Sequence, residues 1–260
     1  MKLKDKVAIV TGGTMGIGLG IVKVFVKYGA KVVILDQSTE TPNIVSQAKE
    51  KGFEVEGHVV DVRDNVKVKE IIDEVASRYG NIDVLVNNAG TIRLKSFLET
   101  TEEDRDFQID VNVKGAWNVS QATVPHMKNG GAIVNLSSVT GPLVADPGEV
   151  AYALTKSAIQ GFTKGLAAEL VSQKIRVNCI QPGYIRTPLA DAMARDNGLT
   201  PEEFVAEMSK SIPMNRLGTI EEAGELVAFL ASEEASYITG QAVVIDGGST
   251  LPETTVVNVE

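Results

Sequence analysis

Residues 6–18 read KVAIVTGGTMGIG, a short apolar run that leads directly into a glycine-rich turn. Gly12, Gly16 and Gly18 permit a tight turn, close approach of a pyrophosphate to the backbone, and close packing of a helix on a strand. A helix is predicted to follow, and its first N–H groups and the positive end of its dipole face this turn. The spacing is G-x-x-x-G-x-G, and its place between a first strand and a first helix indicates a dinucleotide-binding fold.

Short β-branched runs alternate with longer helical patterns along the rest of the chain. Several of the runs are almost continuously apolar, which is the pattern of strands in a sheet covered on both faces. Regular alternation of strand and helix predicts βαβ crossovers and a parallel sheet, and hence a single α/β domain over residues 1–260. The predicted strands are 6–11, 31–36, 54–60, 82–87, 131–137, 174–180 and 241–247, and the predicted helices are 16–28, 41–51, 65–79, 101–127, 151–171 and 220–231.

Two segments interrupt this alternation, residues 139–150 and residues 182–218. The first is a turn-rich loop, and the second is a long insertion with some helical character that contains a predicted substrate loop at about 188–213. Long excursions within a compact domain are more often lids or binding loops than plain connections. Both segments follow the carboxyl ends of predicted strands, where open parallel sheets bind ligands.

The composition argues against nucleic acid and anionic membranes as partners. The chain has 260 residues, with 25 Lys and Arg against 34 Asp and Glu, for a formal net charge of −9, whereas phosphate binding needs clustered basic residues. A single cysteine, Cys179, excludes an intrachain disulfide, and its apolar neighbours predict a small buried hydrophobe. His58 and His126 are far apart, so no metal site is predicted. Apolar runs shorter than a membrane span, together with the cysteine usage, predict a cytoplasmic protein.

Asp36 ends the second predicted strand, where a carboxylate can accept both hydroxyls of an adenosine ribose. The same carboxylate would repel a 2′-phosphate, and no basic residue occurs in 12–20 or 37–40. This pattern favours NAD over NADP, although a strand-end Asp in a turn is the alternative. Asp61, with Val62, either contacts the adenine or caps the helix that begins near residue 65.

Tyr152 and Lys156 lie four residues apart in a predicted helix, so their side chains share one face. A solvated helix face would give the same spacing. The alternative is chemical, because hydride transfer to a carbonyl needs a proton donor at the oxygen and the reverse reaction needs a base. Free tyrosine titrates near pH 10, and we expect the ammonium of Lys156 to stabilise the phenolate and lower the pKa of Tyr152.

Other polar residues are predicted at the same end of the sheet. The fourth strand closes with 87-NNAG-90, in which Gly90 lets backbone lie close to a ligand, and the fifth strand ends at Ser137 and Ser138. The end of the fifth strand lies near the point where the strand order reverses. Ser138 would there hold the substrate oxygen. Asn112 either anchors a proton-relaying water or bonds helix backbone.

A series of motifs stands in order along the chain: TGxxxGIG, an Asp after the second strand, an Asp-Val pair, NNAG, an Asn in the next helix, a Ser, YxxxK and a PG turn. The series resembles the short-chain dehydrogenases/reductases of the single-domain type over about residues 5–248. More narrowly, residues 137–156, 182–188 and 246–254 resemble the UcpA-like oxidoreductases. Each motif is modest alone, but their joint occurrence in this order is highly specific.

The resemblance implies a three-layer doubly wound Rossmann fold, with helices on both faces of a mostly parallel seven-stranded sheet in the order 3-2-1-4-5-6-7. It also implies a homotetramer joined by the helices of 101–127 and 151–171 and by the last strand with its helix. The implied catalytic residues are Asn112, Ser138, Tyr152 and Lys156. The residues implied to bind the cofactor are Gly12, Met15, Gly16, Ile17, Gly18, Asp36, Asp61, Val62, Asn88, Ala89, Gly90, Tyr152, Lys156, Pro182, Gly183, Ile185 and Thr187.

One departure from the family pattern is visible, because Ser138 and Tyr152 are separated by one residue more than is common. Ser137 is therefore an alternative catalytic serine. The extra residue also reshapes the expected substrate pocket, although the residues assigned to it would equally suit a solvent-facing loop. The residues expected to line the pocket are Arg93, Asp146, Glu149 and Tyr184.

The leading hypothesis is an NAD(H)-dependent oxidoreductase that acts on a secondary alcohol or the matching carbonyl compound. An NADPH-dependent 3-oxoacyl-[acyl-carrier-protein] reductase would use the same residues, but the acidic carrier prefers a basic docking patch. Sugar, polyol and steroid dehydrogenases are further alternatives. A redox sensor that binds NAD(H) without turnover is the non-enzyme alternative, and it would have no need of Tyr152 with Lys156.

Overall fold

The glycine-rich turn connects the first strand of a seven-stranded sheet to the first helix in the computed structural model, which describes residues 1–196 and 198–251. The strands are β1 Val7–Thr11, β2 Lys31–Asp36, β3 Val55–Val59, β4 Val84–Asn87, β5 Gly131–Leu136, β6 Ile175–Pro182 and β7 Ala242–Ile245. The α-helices within the described residues are α1 Gly16–Lys27, α2 Thr41–Glu50, α3 Asn65–Tyr79, α4 Glu102–Ile109, α5 Gly115–Thr123, α6 Val150–Leu170, α7 Pro188–Asp196, α8 Pro201–Lys210 and α9 Ile220–Ala231.

The strand order is β3-β2-β1-β4-β5-β6-β7, and each described pairing is parallel, which confirms the predicted order. The central strand β1 pairs with β2 and β4, so that Val10 lies between Ile34 and Val86. Consecutive side chains of a strand point to opposite faces of the sheet. Ala8 accordingly packs in the core beneath α1 and α9, while Ile9 packs in the core beneath α3, α5 and α6. The two cores lie on opposite faces of the sheet, so the fold has three layers: helices, sheet and helices.

The predicted helix of residues 101–127 is divided into several parts. α4 begins with a capping box between Thr101 and Asp104 and continues into a π-helical turn, Asp110–Lys114, before α5. Asn112 lies within that turn, and its side chain leaves the helix to bond neighbouring segments. π-helical turns often occur at functional sites, and an amphipathic pattern does not distinguish them from regular helix.

The insertion that follows β6 folds as the helix pair α7 and α8. Ala190, Ala194 and Phe204 form a small apolar cluster between the two helices, separate from the cores of the sheet. Residue 197, which falls in the predicted substrate loop, and the tail residues 252–260 lie outside the described residues. Cys179 is fully buried, as predicted. Within 1–196 and 198–251, the helices are too short or too polar to cross a bilayer.

Gly20 lets α1 approach α9 very closely. A Cβ atom at Gly20 would lie 2.2 Å from the carbonyl oxygen of Ile220, and one at Gly224 would lie 2.8 Å from the carbonyl oxygen of Gly20. These atoms belong to backbone, so the helices themselves would have to separate. The two glycines therefore set the distance between the helix that carries the glycine-rich turn and the helix that covers it.

Replacing Gly20 by Ala is expected to destabilise the protein by about 2–3 kcal/mol, because the added methyl group must push α9 away from α1. Thermal denaturation should show a melting temperature lower by roughly 5 °C or more. Lys23→Ala is the matched control, since Lys23 lies on the same helix and makes an exposed ion pair with Glu221. A Gly20→Ala protein as stable as the control would disprove the contact.

Candidate active site

The glycine-rich turn is held against the end of β4. Gly12 and Gly16 have φ angles of 64° and 52°, a conformation that favours glycine. A Cβ atom at Gly18 would lie 1.9 Å from the carbonyl oxygen of Gly12. The side chain of Asn88 spans the gap between strands, because its Nδ2 donates to the carbonyl oxygens of Thr11 at 2.9 Å and Gly12 at 2.8 Å. The conformation of the turn is thus fixed by the close packing of Gly18 on Gly12 and by the hydrogen bonds from Asn88.

The first turn of α1 is open to an anion. Its N-cap residue, Met15, makes no side-chain cap, and no acidic residue stands in the first turn, where Ile17 lies. Across the cleft, the methyl group of Thr187 would be 3.6 Å from a Cβ atom at Gly16. The segment 182–187, which includes the buried Ile185, therefore faces the turn. Free amides with a positive dipole end suit a phosphate group.

Asp36 is oriented by a residue that the sequence analysis missed. Both the amide and the hydroxyl of Thr14 donate to Oδ2 of Asp36, at 3.0 and 2.7 Å, and the amide of Ser38 donates to Oδ1 at 3.0 Å. Thr14 is buried within the glycine-rich turn. A hydroxyl residue in the middle of the glycine-rich turn was the available signal. The turn and the end of β2 are thereby joined into one unit.

Asp61 does not cap the third helix, because the N-cap of α3 is Asp64, whose side chain accepts from the amide of Lys67. Asp61 instead accepts from Arg63, through Nη2 at 2.6 Å and the amide at 2.9 Å, and this contact holds its pKa below its usual range. Val62 beside it is buried. The Asp61 carboxylate therefore already carries a partner at the predicted adenine position.

Ser138 and Tyr152 meet at the carboxyl end of β5. The Ser138 hydroxyl lies close enough to Tyr152 to lower the pKa of that phenol, and it accepts from the amide of Thr140 at 3.1 Å. The other candidate serine, Ser137, is buried and donates to the carbonyl oxygen of Lys156 at 2.8 Å. Of the two serines, Ser138 is therefore the one whose hydroxyl faces the tyrosine.

Lys156 lies in the interior next to these groups. Its Nζ donates to the carbonyl oxygen of Leu136 at 2.9 Å and lies 5.5 Å from the ring centroid of Tyr152. A Cβ atom at Gly90 would lie 3.6 Å from this Nζ and 3.4 Å from Oδ1 of Asn112. The glycine of the NNAG motif thus lies where the lysine and the asparagine converge, at ordinary contact distance from both.

The expectation that Lys156 lowers the pKa of Tyr152 is wrong for the protein on its own. Burial raises the pKa of Tyr152 to about 12, and the hydrogen bond from Ser138 only partly opposes this. Burial likewise lowers the pKa of Lys156 to about 8. Removal from water is the largest cause of both pKa shifts, and the Lys156 ammonium donates to a backbone carbonyl.

Asn112 joins three segments through its side chain. Its Oδ1 accepts from the amide of Thr91 at 2.7 Å, and its Nδ2 donates to the carbonyl of Thr91 and to the hydroxyl of Thr155, both at 2.9 Å. The predicted alternative was a bond to helix backbone, whereas the side chain bonds the backbone of the loop after β4. Thr155, which no motif indicated, ties this junction to α6.

Two basic side chains near the expected substrate pocket are turned toward α4. Arg93 and Lys95 bind Asp104 through contacts of 3.0 and 2.7 Å, and Lys95 and Thr101 hold the pKa of Asp104 well below its usual range. Arg93 also stacks on Phe107, with 4.1 Å from its guanidinium carbon to the ring centroid. The guanidinium of Arg93 is thus bound to residues of α4. Tyr184, another residue of the expected pocket, is 38% exposed.

Comparison with known proteins identifies the family. The sequence profile of the family described as enoyl-(acyl carrier protein) reductase matches residues 12–250. Oxidoreductase UcpA of Escherichia coli strain K12 is 51% identical over 261 residues, covering 99% of each chain. The chain belongs to the short-chain dehydrogenase/reductase family.

Other family members differ in their named activities. The 3-oxoacyl-[acyl-carrier-protein] reductase FabG of Thermotoga maritima is 41% identical over 251 residues, covering 95% of this chain and 99% of that protein. Among solved structures, ligand-free aldohexose dehydrogenase of Thermoplasma acidophilum matches with a TM-score of 0.90, 34% identity and coverage of 99% and 98%. L-sorbose reductase of Gluconobacter frateurii, complexed with NADPH and L-sorbose, matches with a TM-score of 0.90, 33% identity and coverage of 97% and 100%. The chain is thus an NAD(P)-dependent oxidoreductase of this family.

Replacing Lys156 by Met is expected to stabilise this short-chain dehydrogenase/reductase at neutral pH. Folding lowers the pKa of Lys156 from its ordinary 10.5 to about 8, so keeping the ammonium charged inside the protein costs roughly 3 kcal/mol below that folded pKa. Between the two values the folded protein binds fewer protons than the unfolded chain, so stability rises with pH there. The variant should melt higher than wild type at about pH 7, and the gap should narrow toward pH 9.5.

Lys164→Met is the control for this experiment, because Lys164 is exposed on the same helix. Melting temperatures of wild type and both variants, measured by circular dichroism at the two pH values, give the comparison. A Lys156→Met protein that melts below wild type at both pH values would show that the ammonium stabilises the fold.

Proposed function

We propose that the protein is an NAD(H)-dependent oxidoreductase that transfers hydride between nicotinamide and a secondary alcohol or the matching carbonyl. The observation that carries this proposal is the contact of Ser138 with Tyr152 one helical turn from the buried Lys156. The three residues lie at the carboxyl end of β5, and Gly90 adjoins Lys156 and Asn112. An open α/β sheet binds its ligand at this edge.

Bound NAD(H) would supply or accept the hydride. Tyr152 would donate the proton to the carbonyl oxygen during reduction and remove it from the hydroxyl during oxidation. Ser138 would bind the same oxygen and stabilise the charge that develops on it. Lys156 is charged below its pKa of about 8, so at neutral pH it would donate to the ribose hydroxyls of the cofactor. Asn112 would keep the loop after β4 in place.

The residues that fit a dinucleotide are distributed along one edge of the sheet. The glycine-rich turn and the open first turn of α1 suit the pyrophosphate, and Asp36 suits the adenosine ribose. The predicted contacts that we retain are Gly12, Met15, Gly16, Ile17, Gly18, Asp36, Asp61, Val62, Asn88, Ala89, Gly90, Tyr152, Lys156, Pro182, Gly183, Ile185 and Thr187.

The preference for NAD over NADP rests on Asp36. Thr14 and Ser38 fix both oxygens of its carboxylate, which would face a 2′-phosphate with a negative charge. The L-sorbose reductase structure is a complex with NADPH, so the fold itself does not decide the cofactor. The residue at the end of β2 is therefore the discriminating position.

Replacing Asp36 by Ala is expected to weaken NADH binding by about 10–100-fold, because a charge-assisted acceptor for the ribose hydroxyls is lost. NADPH binding should change less or improve, so the ratio of the affinities for NADH and NADPH should fall. Thr14→Val should reproduce part of this effect, whereas Thr14→Ser, which keeps the hydroxyl, should not. Fluorescence titration with both cofactors gives the dissociation constants, and unchanged values for Asp36→Ala would remove its assignment.

Replacing Tyr152 by Phe is expected to leave NADH binding intact and to lower turnover by about 10²–10⁴-fold, since the proton donor is lost. The substrate is first found by screening NADH and NADPH oxidation with aldehydes, ketones, 3-oxoacyl thioesters and sugars. Tyr237→Phe is the matched control, because Tyr237 is fully exposed. Equal turnover by Tyr152→Phe and the control would refute the acid–base role.

The runner-up activities use the same residues. Identity to FabG supports a 3-oxoacyl-[acyl-carrier-protein] reductase, but the net charge of −9 disfavours an acidic carrier protein. Structural similarity to aldohexose dehydrogenase and L-sorbose reductase supports a sugar or polyol substrate. A pure NAD(H) sensor is the remaining alternative, and it predicts cofactor binding with no turnover of any compound in the screen.

We further propose a cytoplasmic homotetramer built from one domain with its substrate loop at about 188–213. Apolar side chains on α5 and α6 support this assembly. Trp117 and Leu154 are each 54% exposed, and Trp117 packs on Phe162 with 5.6 Å between the ring centroids. Exposed large apolar residues on adjacent helices suit a subunit interface.

A further inference from the structure

Thr155 is fully buried one residue before Lys156, and its hydroxyl makes two hydrogen bonds. It donates to the carbonyl oxygen of Tyr152 at 2.8 Å and accepts from Nδ2 of Asn112 at 2.9 Å. A hydroxyl bonded to a carbonyl of its own helix slightly destabilises that helix, so α6 itself has no need of this group. The bond to Tyr152 does, however, direct the hydroxyl proton away from Asn112, so that the oxygen presents a lone pair to the amide.

Asn112 depends on this acceptor. Its Oδ1 accepts from the amide of Thr91 at 2.7 Å, and one N–H of its Nδ2 donates to the carbonyl oxygen of Thr91 at 2.9 Å. The second N–H of Nδ2 donates to Thr155. Asn112 is buried in the π-helical turn, where an N–H that has lost its acceptor is costly. Loss of the Thr155 hydroxyl would therefore favour a rotation of the Asn112 amide that releases Thr91.

Thr91 and Tyr152 belong to two segments that meet at Lys156. Thr91 follows Gly90, and a Cβ atom at Gly90 would lie 3.6 Å from Nζ of Lys156. The ring centroid of Tyr152 lies 5.5 Å from the same Nζ. The continuous series of hydrogen bonds described above thus joins the loop after β4, which we propose to contact the cofactor, to the turn of α6 that carries the proposed proton donor.

We propose that Thr155 is a positioning residue for hydride transfer and that it acts through Asn112. Its hydroxyl sets the distance between the loop after β4, where the cofactor would bind, and Tyr152, where the proton would be exchanged. The inference rests on the proposed function. The reacting atoms must be held in one geometry, and a displacement of about 1 Å can lower the rate about 100-fold. Because Thr155 is fully buried, its loss should change the rate of the reaction and not the binding of its ligands.

Replacing Thr155 by Val removes the hydroxyl and keeps the shape of the side chain. With the substrate found in the screen, kcat should fall by about 10–100-fold, whereas KM and the dissociation constant of NADH should change less than about threefold. Thr155→Ser keeps the hydroxyl and should keep most of the wild-type kcat. Thr155→Ala removes the same hydroxyl and takes the place of the valine variant if that variant does not fold.

Thr163→Val is the matched control, because Thr163 makes the same pair of bonds further along α6. It is buried, donates to the carbonyl oxygen of Ile159 at 2.8 Å and accepts from Asn135 at 2.9 Å. Both valine variants should therefore show similar decreases in melting temperature, but kcat should fall only in Thr155→Val. Equal effects on kcat in the two variants, including no effect in either, would overturn the role of Thr155 and leave the proposed function intact.

A double variant that combines Asn112→Ala with Thr155→Val tests whether Thr155 acts through Asn112. If it does, adding Thr155→Val to Asn112→Ala should lower kcat by less than about threefold. Losses that multiply in the double variant would contradict the proposal. If wild type turns over no compound in the screen with either cofactor, the proposed function fails and this inference fails with it.

Discussion

The burial of Lys156 between α6 and the end of β5 is the constraint on which the site depends. Its ammonium donates to Leu136 of the strand, and its own carbonyl oxygen accepts from Ser137. A rotation or slide of α6 would leave a charged group buried without a partner, which is far more costly than an ordinary packing defect. Tyr152 and Thr155 lie on the same helix, so fixing α6 also fixes their positions. The buried ammonium of Lys156 lowers the stability of the fold, but its contacts fix the position of α6, and with it the position of Tyr152, relative to β5.

A second set of buried polar contacts reinforces this arrangement deeper in the sheet. Asn87 of β4 donates to Ser120 at 2.9 Å and to Asn135 of β5 at 2.8 Å, and Asn135 donates to Thr163 of α6 at 2.9 Å. These side chains connect two strands with the helices α5 and α6. Directional bonds inside an apolar core allow fewer arrangements than apolar contacts alone. The helices that carry the site are therefore held in a single register on the sheet.

The alternation of strands and helices predicted a parallel sheet, and the resemblance to the short-chain dehydrogenases/reductases implied its strand order. The expected approach of Ser138 to Tyr152 came from their positions at the end of the fifth strand and the start of the following helix. The sequence did not predict what burial does to charge, so the sign of the Tyr152 pKa shift was wrong. It also missed Thr14, since one hydroxyl in a glycine-rich turn has no periodicity to mark it. The π-helical turn at Asn112 escaped notice because its apolar pattern matches that of a regular helix. The local hydrophobic pattern predicts helices and strands. The burial of a side chain and its hydrogen bonds to residues distant in sequence depend on the folded structure, so the local pattern does not predict them.

The close packing of α1 on α9 has a consequence for biosynthesis. α1 leaves the ribosome long before its packing partner, Ile220–Ala231, has been translated. Contacts so distant in sequence form slowly. Until α9 has been translated, the apolar side of α1 stays uncovered, and the nascent polypeptide is most prone to aggregate during that interval.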